Sequence, residues 1–158
     1  MGQVYTVEFN NQVITSAGGT REFFYIEPAD DRPLKILALF LSQFSDLQDA
    51  NEEILQILFV RGHATASSGG ATATPRPVHR RSGAAAFVAR VNDTTLASTG
   101  TPVNLHADGF NIRVPQPLIL PEAMQWDCDQ ADGSIVVRLN AAVADDLTMS
   151  ATLYVEED

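Results

Sequence analysis

The chain has 158 residues, twenty of them acidic and ten basic, for a formal charge of −10, and that length buries one core without staples. A single cysteine, Cys128, excludes an internal disulfide framework, and no apolar run approaches the ~18 residues of a membrane-spanning helix. The acidic balance repels nucleic acid at long range; neither nucleic acid nor membrane is expected as a partner, and Met1-Gly2-Gln3-Val4 lacks the basic-then-apolar order of a secretory leader.

Residues 4–9 alternate, with Tyr5, Val7 and Phe9 on one face, and read as an opening strand. Asn10-Asn11 reads as a turn, 12–15 as a short return and 17–20 as another turn; 21–26 form a further strand, ended by a loop between Pro28 and Pro33. Two apolar runs follow, 34–41, broken only by Lys35, and 54–60, separated by the polar stretch 42–53. Their lengths suit strands, and the simplest arrangement makes 34–42 and 53–61 neighbouring antiparallel core strands. Both are apolar on nearly both faces, which asks for a second sheet on one side and a further cover, such as a neighbouring subunit, on the other. The alternative is a pair of short buried helices, with Leu47, Ile54, Leu55 and Leu58 forming one stripe within 46–59.

Residues 62–84 are the least core-like part of the chain: among 23 residues only Val78 is a large aliphatic. A loop of that length is usually functional or disordered, and its alternate prolines at 75 and 77 predict an extended arm. Between Glu53 and Asp93 there is no acid, yet the interval carries Arg61, Arg76, Arg80, Arg81 and Arg90. A segment five units positive is thus set in a remainder fifteen units negative. Arginine grips carboxylates with paired hydrogen bonds, so Arg76, His79, Arg80 and Arg81 are the candidate contact residues, directed at an acidic surface of a partner or of another copy.

Strand character resumes over 85–91; Asn92-Asp93 turns, 94–97 is short, and Asp108-Gly109 is expected to split 101–113 into a hairpin. Segments 118–120, 134–139 and 147–155 complete roughly eight to ten short strands in one domain over 1–158. The consistent class is all-β, as an antiparallel sandwich or a barrel.

Motifs that carry chemistry are not apparent. His63, His79 and His106 are too scattered for a spaced metal motif, although His106 and Asp108 would share a strand face. Cys128 sits among Asp127 and Asp129, which disfavours a thiolate. The carboxylate pairs at 30–31, 52–53, 145–146 and 156–158 read as solvated turn or terminal charges. No nucleophile elbow, P-loop or dinucleotide fingerprint is found. No catalytic residue, metal or cofactor is expected, and the chain is not read as an enzyme. Trp126 beside Asp127 and Asp129 is the one cluster resembling a sugar-binding platform, so a carbohydrate- or receptor-binding sandwich of a phage fibre or tail stands as the alternative.

Several phrases in order carry a resemblance: 28–35 (PADDRPLK) leading into 39–43 (LFLSQ), 61–63 (RGH), 74–77 (TPRP), 91–95 (VNDTT), 105–111 (LHADGFN) and 147–157 (LTMSATLYVEE). The series resembles a family of small head proteins of tailed bacteriophages and prophages, over nearly the whole chain. The resemblance implies a jelly-roll-like β-sandwich with one long loop at about 62–84. It also implies a decoration or cement protein, a homotrimer on the outer surface of the capsid, made in the bacterial host cytoplasm and bound to the major capsid protein. It brings no catalytic residues.

Overall fold

Side chains that alternate in burial along each strand build two antiparallel sheets, described over residues 2–45 and 52–158 of a computed structural model. The strands are β1 (Gln3–Ile14), β2 (Arg21–Glu27), β3 (Leu34–Gln43), β4 (Ile54–His63), β5 (Ala71–Ala73) and β6 (Arg76–Pro77). They continue as β7 (Val88–Asp93), β8 (Val103–Asn111), β9 (Gln116–Ile119), β10 (Trp126–Cys128), β11 (Ser134–Leu139) and β12 (Leu147–Glu157). The first sheet runs β10-β3-β12-β1-β6, with β9 also paired to β3; the second runs β5-β7-β2-β11-β4-β8. The long strands change sheet at successive connections, β1 to β2 to β3 to β4 and again β10 to β11 to β12. This winding is that of a jelly-roll sandwich.

The inward faces meet in one core. Tyr5, Val7, Leu39, Leu41, Leu153 and Val155 of the first sheet pack against Ile57, Phe59, Ile135 and Val137 of the second, all buried. The two apolar runs supply β3 and β4, but these strands are not hydrogen-bonded neighbours: they lie in opposite sheets. The ten-residue connection from 44 to 53 easily spans the ~10 Å between packed sheets, and better partners arrive from far along the chain. β3 lies between β12 and β9/β10, and β4 between β11 and β8. The helical alternative falls partly outside the described residues; its remaining part, from Ile54 to Phe59, is strand.

Three expected turns are absorbed into strands, Asn92-Asp93 among them, where β7 continues to Asp93 opposite Glu22. At Asn10-Asn11 the chain bulges and continues as β1 instead of reversing. Asn11 takes a φ of 54°, which asparagine tolerates. Ser150 bridges the bulge, its hydroxyl accepting the Asn11 N–H (3.2 Å) and donating to Asn10 Oδ1 (2.7 Å). Asp108-Gly109 likewise stays within β8, paired to Ile57 and Gln56. Asp108 Oδ1 accepts the Gly109 N–H (2.7 Å), so the acid satisfies its own strand without turning it.

The outer faces differ. On the second sheet Tyr25, Val60 and Val136 are buried beneath Ala97, with Leu58 packed beside them. The further cover that β4 asks for comes from the same chain. On the first sheet no such cover exists among the described residues, and Phe40, in edge-to-face contact with Tyr154 (5.8 Å), stays 40% exposed beside Ile119 at 66%. Leu39, its neighbour in sequence, points inward and is 2% exposed. Leu39→Ala is therefore expected to cost roughly 2–5 kcal/mol in urea unfolding, while Phe40→Ala costs less than about 1 kcal/mol. Equal costs would contradict this assignment of faces.

Candidate contact arm and the carboxylates that hold it

Between β4 and β8 the chain leaves the second sheet, crosses to the first and returns. Gly62 opens the excursion with a φ of 109°, and a Cβ there would run into the Thr101 carbonyl. Outgoing and returning segments pair reciprocally: Thr65 with Ser98 (2.9 and 3.1 Å) and Ser68 with Thr95 (3.0 and 2.8 Å). The pair lies over the second sheet and delivers Ala97 to its outer face. β5 then extends the second sheet beside β7, and β6 extends the first beside β1, so one strip of chain closes a lateral side of the sandwich.

This strip offers little apolar area, and three buried carboxylates hold it by its main chain. Asp93 accepts from Ser67 Oγ (2.5 Å), the Gly70 N–H (2.8 Å) and both Nε and Nη2 of Arg90 (2.9 and 2.8 Å). Burial alone would raise its pKa, but the bonds from Arg90, Ser67 and Gly70 outweigh that and hold it below the ordinary aspartate value. Glu22 accepts the Ala97 N–H (3.2 Å) and Arg138 Nη2 (2.5 Å). Glu157 Oε1 accepts the N–H groups of Ala86 (2.9 Å) and Phe87 (3.1 Å), with Arg32 3.4 Å from its other oxygen. Just beyond, Phe87 is buried edge-on against Tyr5, 5.7 Å between ring centres. The reading of 156–158 as solvated charge therefore fails at Glu157, because β12 runs two residues beyond the expected 155 and turns this side chain inward. Glu53 also has a structural partner, accepting the Ala144 N–H at 2.7 Å.

The candidate contact residues come together at one corner. Arg76 lies on β6 opposite Thr6, and His79, Arg80 and Arg81 follow in a turn closed by Ser82 N–H to His79 O (2.9 Å). All four are exposed. The Val78 N–H donates to Val4 O (2.9 Å), the Gly83 N–H to Gln3 Oε1 (3.0 Å) and the Tyr5 hydroxyl to Gly83 O (3.2 Å). The arm is thus ordered by main-chain bonds to its own body and not by arginine–carboxylate pairs, as its charge had suggested. Of the arginines in the acid-free interval, Arg61 pairs with Asp127 (3.1 Å) and Arg90 with Asp93 (2.8 Å). Arg76, Arg80 and Arg81 form no ion pair among the described residues.

Other sequence candidates have internal partners. Trp126 is half-buried between Phe59 (4.6 Å) and His106 (5.3 Å); Asp127 serves Arg61, and Asp129 caps the short helical turn that follows it. His106 and Asp108 do share a face, at 3.9 Å, but Asp108 accepts from Gln116 Nε2 (2.8 Å). No group of three or more His, Cys, Asp or Glu suited to a metal ion occurs among the described residues. Cys128 is buried, and desolvation first, then Asp132, pushes its thiol up to about 12. Missed by the sequence reading was the cluster of Glu22, Arg138 and His63, in which Arg138 Nη2 lies 3.2 Å from His63 Nε2. A charged residue in an otherwise apolar strand, such as Arg138 in β11, was its one visible signal. No family model matches this chain, and no curated protein or solved structure matches it.

Glu157→Ala should cost roughly 1.5–3 kcal/mol, the range for hydrogen bonds to a charged group. It should also speed tryptic cleavage after Arg80 and Arg81 and hydrogen exchange at Ala86 and Phe87. Unchanged cleavage would mean that Phe87 alone anchors the arm. His63 gives a second test. Burial, then the Arg138 charge, lowers its pKa below the ordinary 6.5, against an opposing pull from Glu22. Its neutral form is favoured in the fold, so its contribution is full above pH ~6.5 and is lost as pH falls through the folded value. The fall in melting temperature between pH of about 7.5 and about 5 should be larger in the wild type than in His63→Gln.

Proposed function

We propose that the chain is a virion structural protein: a decoration or cement protein on the outer surface of a tailed-phage head, acting through protein–protein contacts. The observation that carries this reading is the outer face of the first sheet. There Phe40, Tyr154, Pro117 and Ile119 form an apolar area that the chain leaves uncovered, whereas on the second sheet it covers Tyr25, Val60 and Val136 and leaves Ile54 and Val88 exposed nearer the ends of β4 and β7. Large exposed apolar areas on otherwise polar surfaces mark interaction sites, and permanent interfaces resemble cores. The buried carboxylates and the aromatic cluster around Trp126 have structural partners, which supports a role in contact over one in turnover. The phrases from 28–35 to 147–157 that resemble phage head proteins favour the capsid, with the major capsid protein as partner and three copies in the assembled unit.

The outer face of the first sheet is assigned to the shell. Co-sedimentation with empty heads of the phage or prophage that encodes the chain tests this. Phe40→Asp together with Ile119→Asp should leave the fold intact and weaken binding at least about tenfold, equivalent to ~1.4 kcal/mol. Full occupancy by the double variant would remove this face from the shell contact, and no binding by the wild type would remove the capsid reading.

A further inference from the structure

We infer that copies of this chain join head to tail, the basic arm of one seated in an acidic depression that runs from β10 to β12 on the next copy's first sheet. β6 and β10 are the two ends of that sheet. At the β6 end Arg76, Arg80 and Arg81 stand exposed without an intrachain ion pair. From β10 across β3 to β12 an open depression of about 720 Å³ is lined by Glu122, Asp127, Glu156 and Asp158, with Lys35 as the one cation among the described residues. Lys35 is already engaged by Asp158 at 3.1 Å and Arg61 by Asp127 at 3.1 Å. Glu122 and Glu156 make no ion pair among the described residues. Each patch therefore keeps charge that its own chain leaves uncompensated, and the two signs are opposite.

Within one chain the arm and the depression do not pair: none of Arg76, Arg80 and Arg81 forms an ion pair with Glu122 or Glu156 among the described residues. The Val78 N–H is bonded to Val4 on β1, and Gly83 is bonded to Gln3. The Glu122 and Asp127 side of the depression lies across β12 and β3 from β1, three spacings or about 14 Å, whereas Glu156 on β12 is paired with Val4 itself. An arm pinned at both ends of its turn presents its guanidinium groups outward. An apolar element accompanies the charge on each side: Val78 in the arm is 47% exposed, and Met124, beside Glu122, is 61% exposed. Because arm and depression are different patches, the contact is heterologous and propagates until rotation closes a ring. Charge complementarity of this kind also selects the partner: a body of net charge −10 repels its copies everywhere except where an arm meets a depression.

Light scattering on the purified chain reads the inference directly. The wild type should be oligomeric at low salt and dissociate as salt rises from about 0.02 M to about 0.5 M. Arg76→Glu, Arg80→Glu and Arg81→Glu together should give a monomer, as should Glu122→Arg with Glu156→Arg. Combining all five substitutions restores complementarity and should restore the oligomer. A wild-type monomer at low salt, an oligomer that survives arm reversal, or a folded five-fold variant that stays monomeric would each overturn the inference. Should the five-fold variant not fold, Arg80→Cys with Glu122→Cys decides instead. Oxidation should yield covalently joined chains, whereas only single chains would reject the contact. The shell assignment stands or falls separately: the Phe40/Ile119 variant tests the shell and should leave this self-association unchanged.

Discussion

Nearly forty residues between β4 and β8 stay folded although they bring few apolar side chains to the core, and the physical reason is buried carboxylate. Backbone ordering costs about 1–2 kcal/mol per residue, and Ala97 and Phe87 bury too little to offset that for the whole segment. Asp93, Glu22 and Glu157 accept main-chain N–H groups where water is excluded, adding to the ladder bonds of β5, β6 and β7 and to the burial of Ala89 and Val91. Glu22 and Glu157 are stationed on β2 and β12, outside the segment, so the frame fixes those two acceptors before it arrives, while Asp93 ends β7 within it. Arg90, Arg138 and Arg32 each place a guanidinium beside one of the three charges.

This arrangement divides the surface. One lateral side of the sandwich is closed by β5, β6 and the arm, and the outer face of the second sheet is closed by the paired segments around Thr65 and Ser98. On the other lateral side Gln116 bridges to Asp108 between the sheets, and Trp126 fills the gap beside Phe59. The outer face of the first sheet is left, with its apolar centre and its oppositely charged ends. The first sheet thus carries both an uncovered apolar centre and unpaired charge, and a protein that covers it meets both together.

The class and most strand positions were legible because period-two alternation is a local property. The segment 134–139 is β11 as expected, and 147–155 is all but the last two residues of β12. Pairing was not legible. Nothing local in 34–41 distinguishes 54–60 as a partner from 147–157, because all three present a face of aliphatic residues. Asn-Asn and Asp-Gly are strong turn signals, yet at 10–11 and 108–109 long-range pairing with β12 and β4 overrode them. The basic cluster at 76–81 was visible as composition, but the means of its ordering was not: Glu157 lies seventy residues from the N–H groups it receives. A carboxylate in a terminal acidic run carries no local mark of burial.

β12 occupies the middle of the first sheet, hydrogen-bonded to β1 on one side and to β3 on the other, and it follows both by more than a hundred residues. The sheet therefore has no stable partial form: until 147–157 has left the ribosome, β1 and β3 are two strands with no common partner. The second sheet has the same dependence on β11, which joins β2 to β4. Folding of this kind waits for nearly the whole sequence and proceeds through non-local pairings, which places it among slow-folding topologies. During that wait the free edges of β1 and β3 are open to pairing with other nascent chains. A polysome making many copies at once is where this molecule is most exposed to misassembly, and rapid capture of β12 is what ends the exposure.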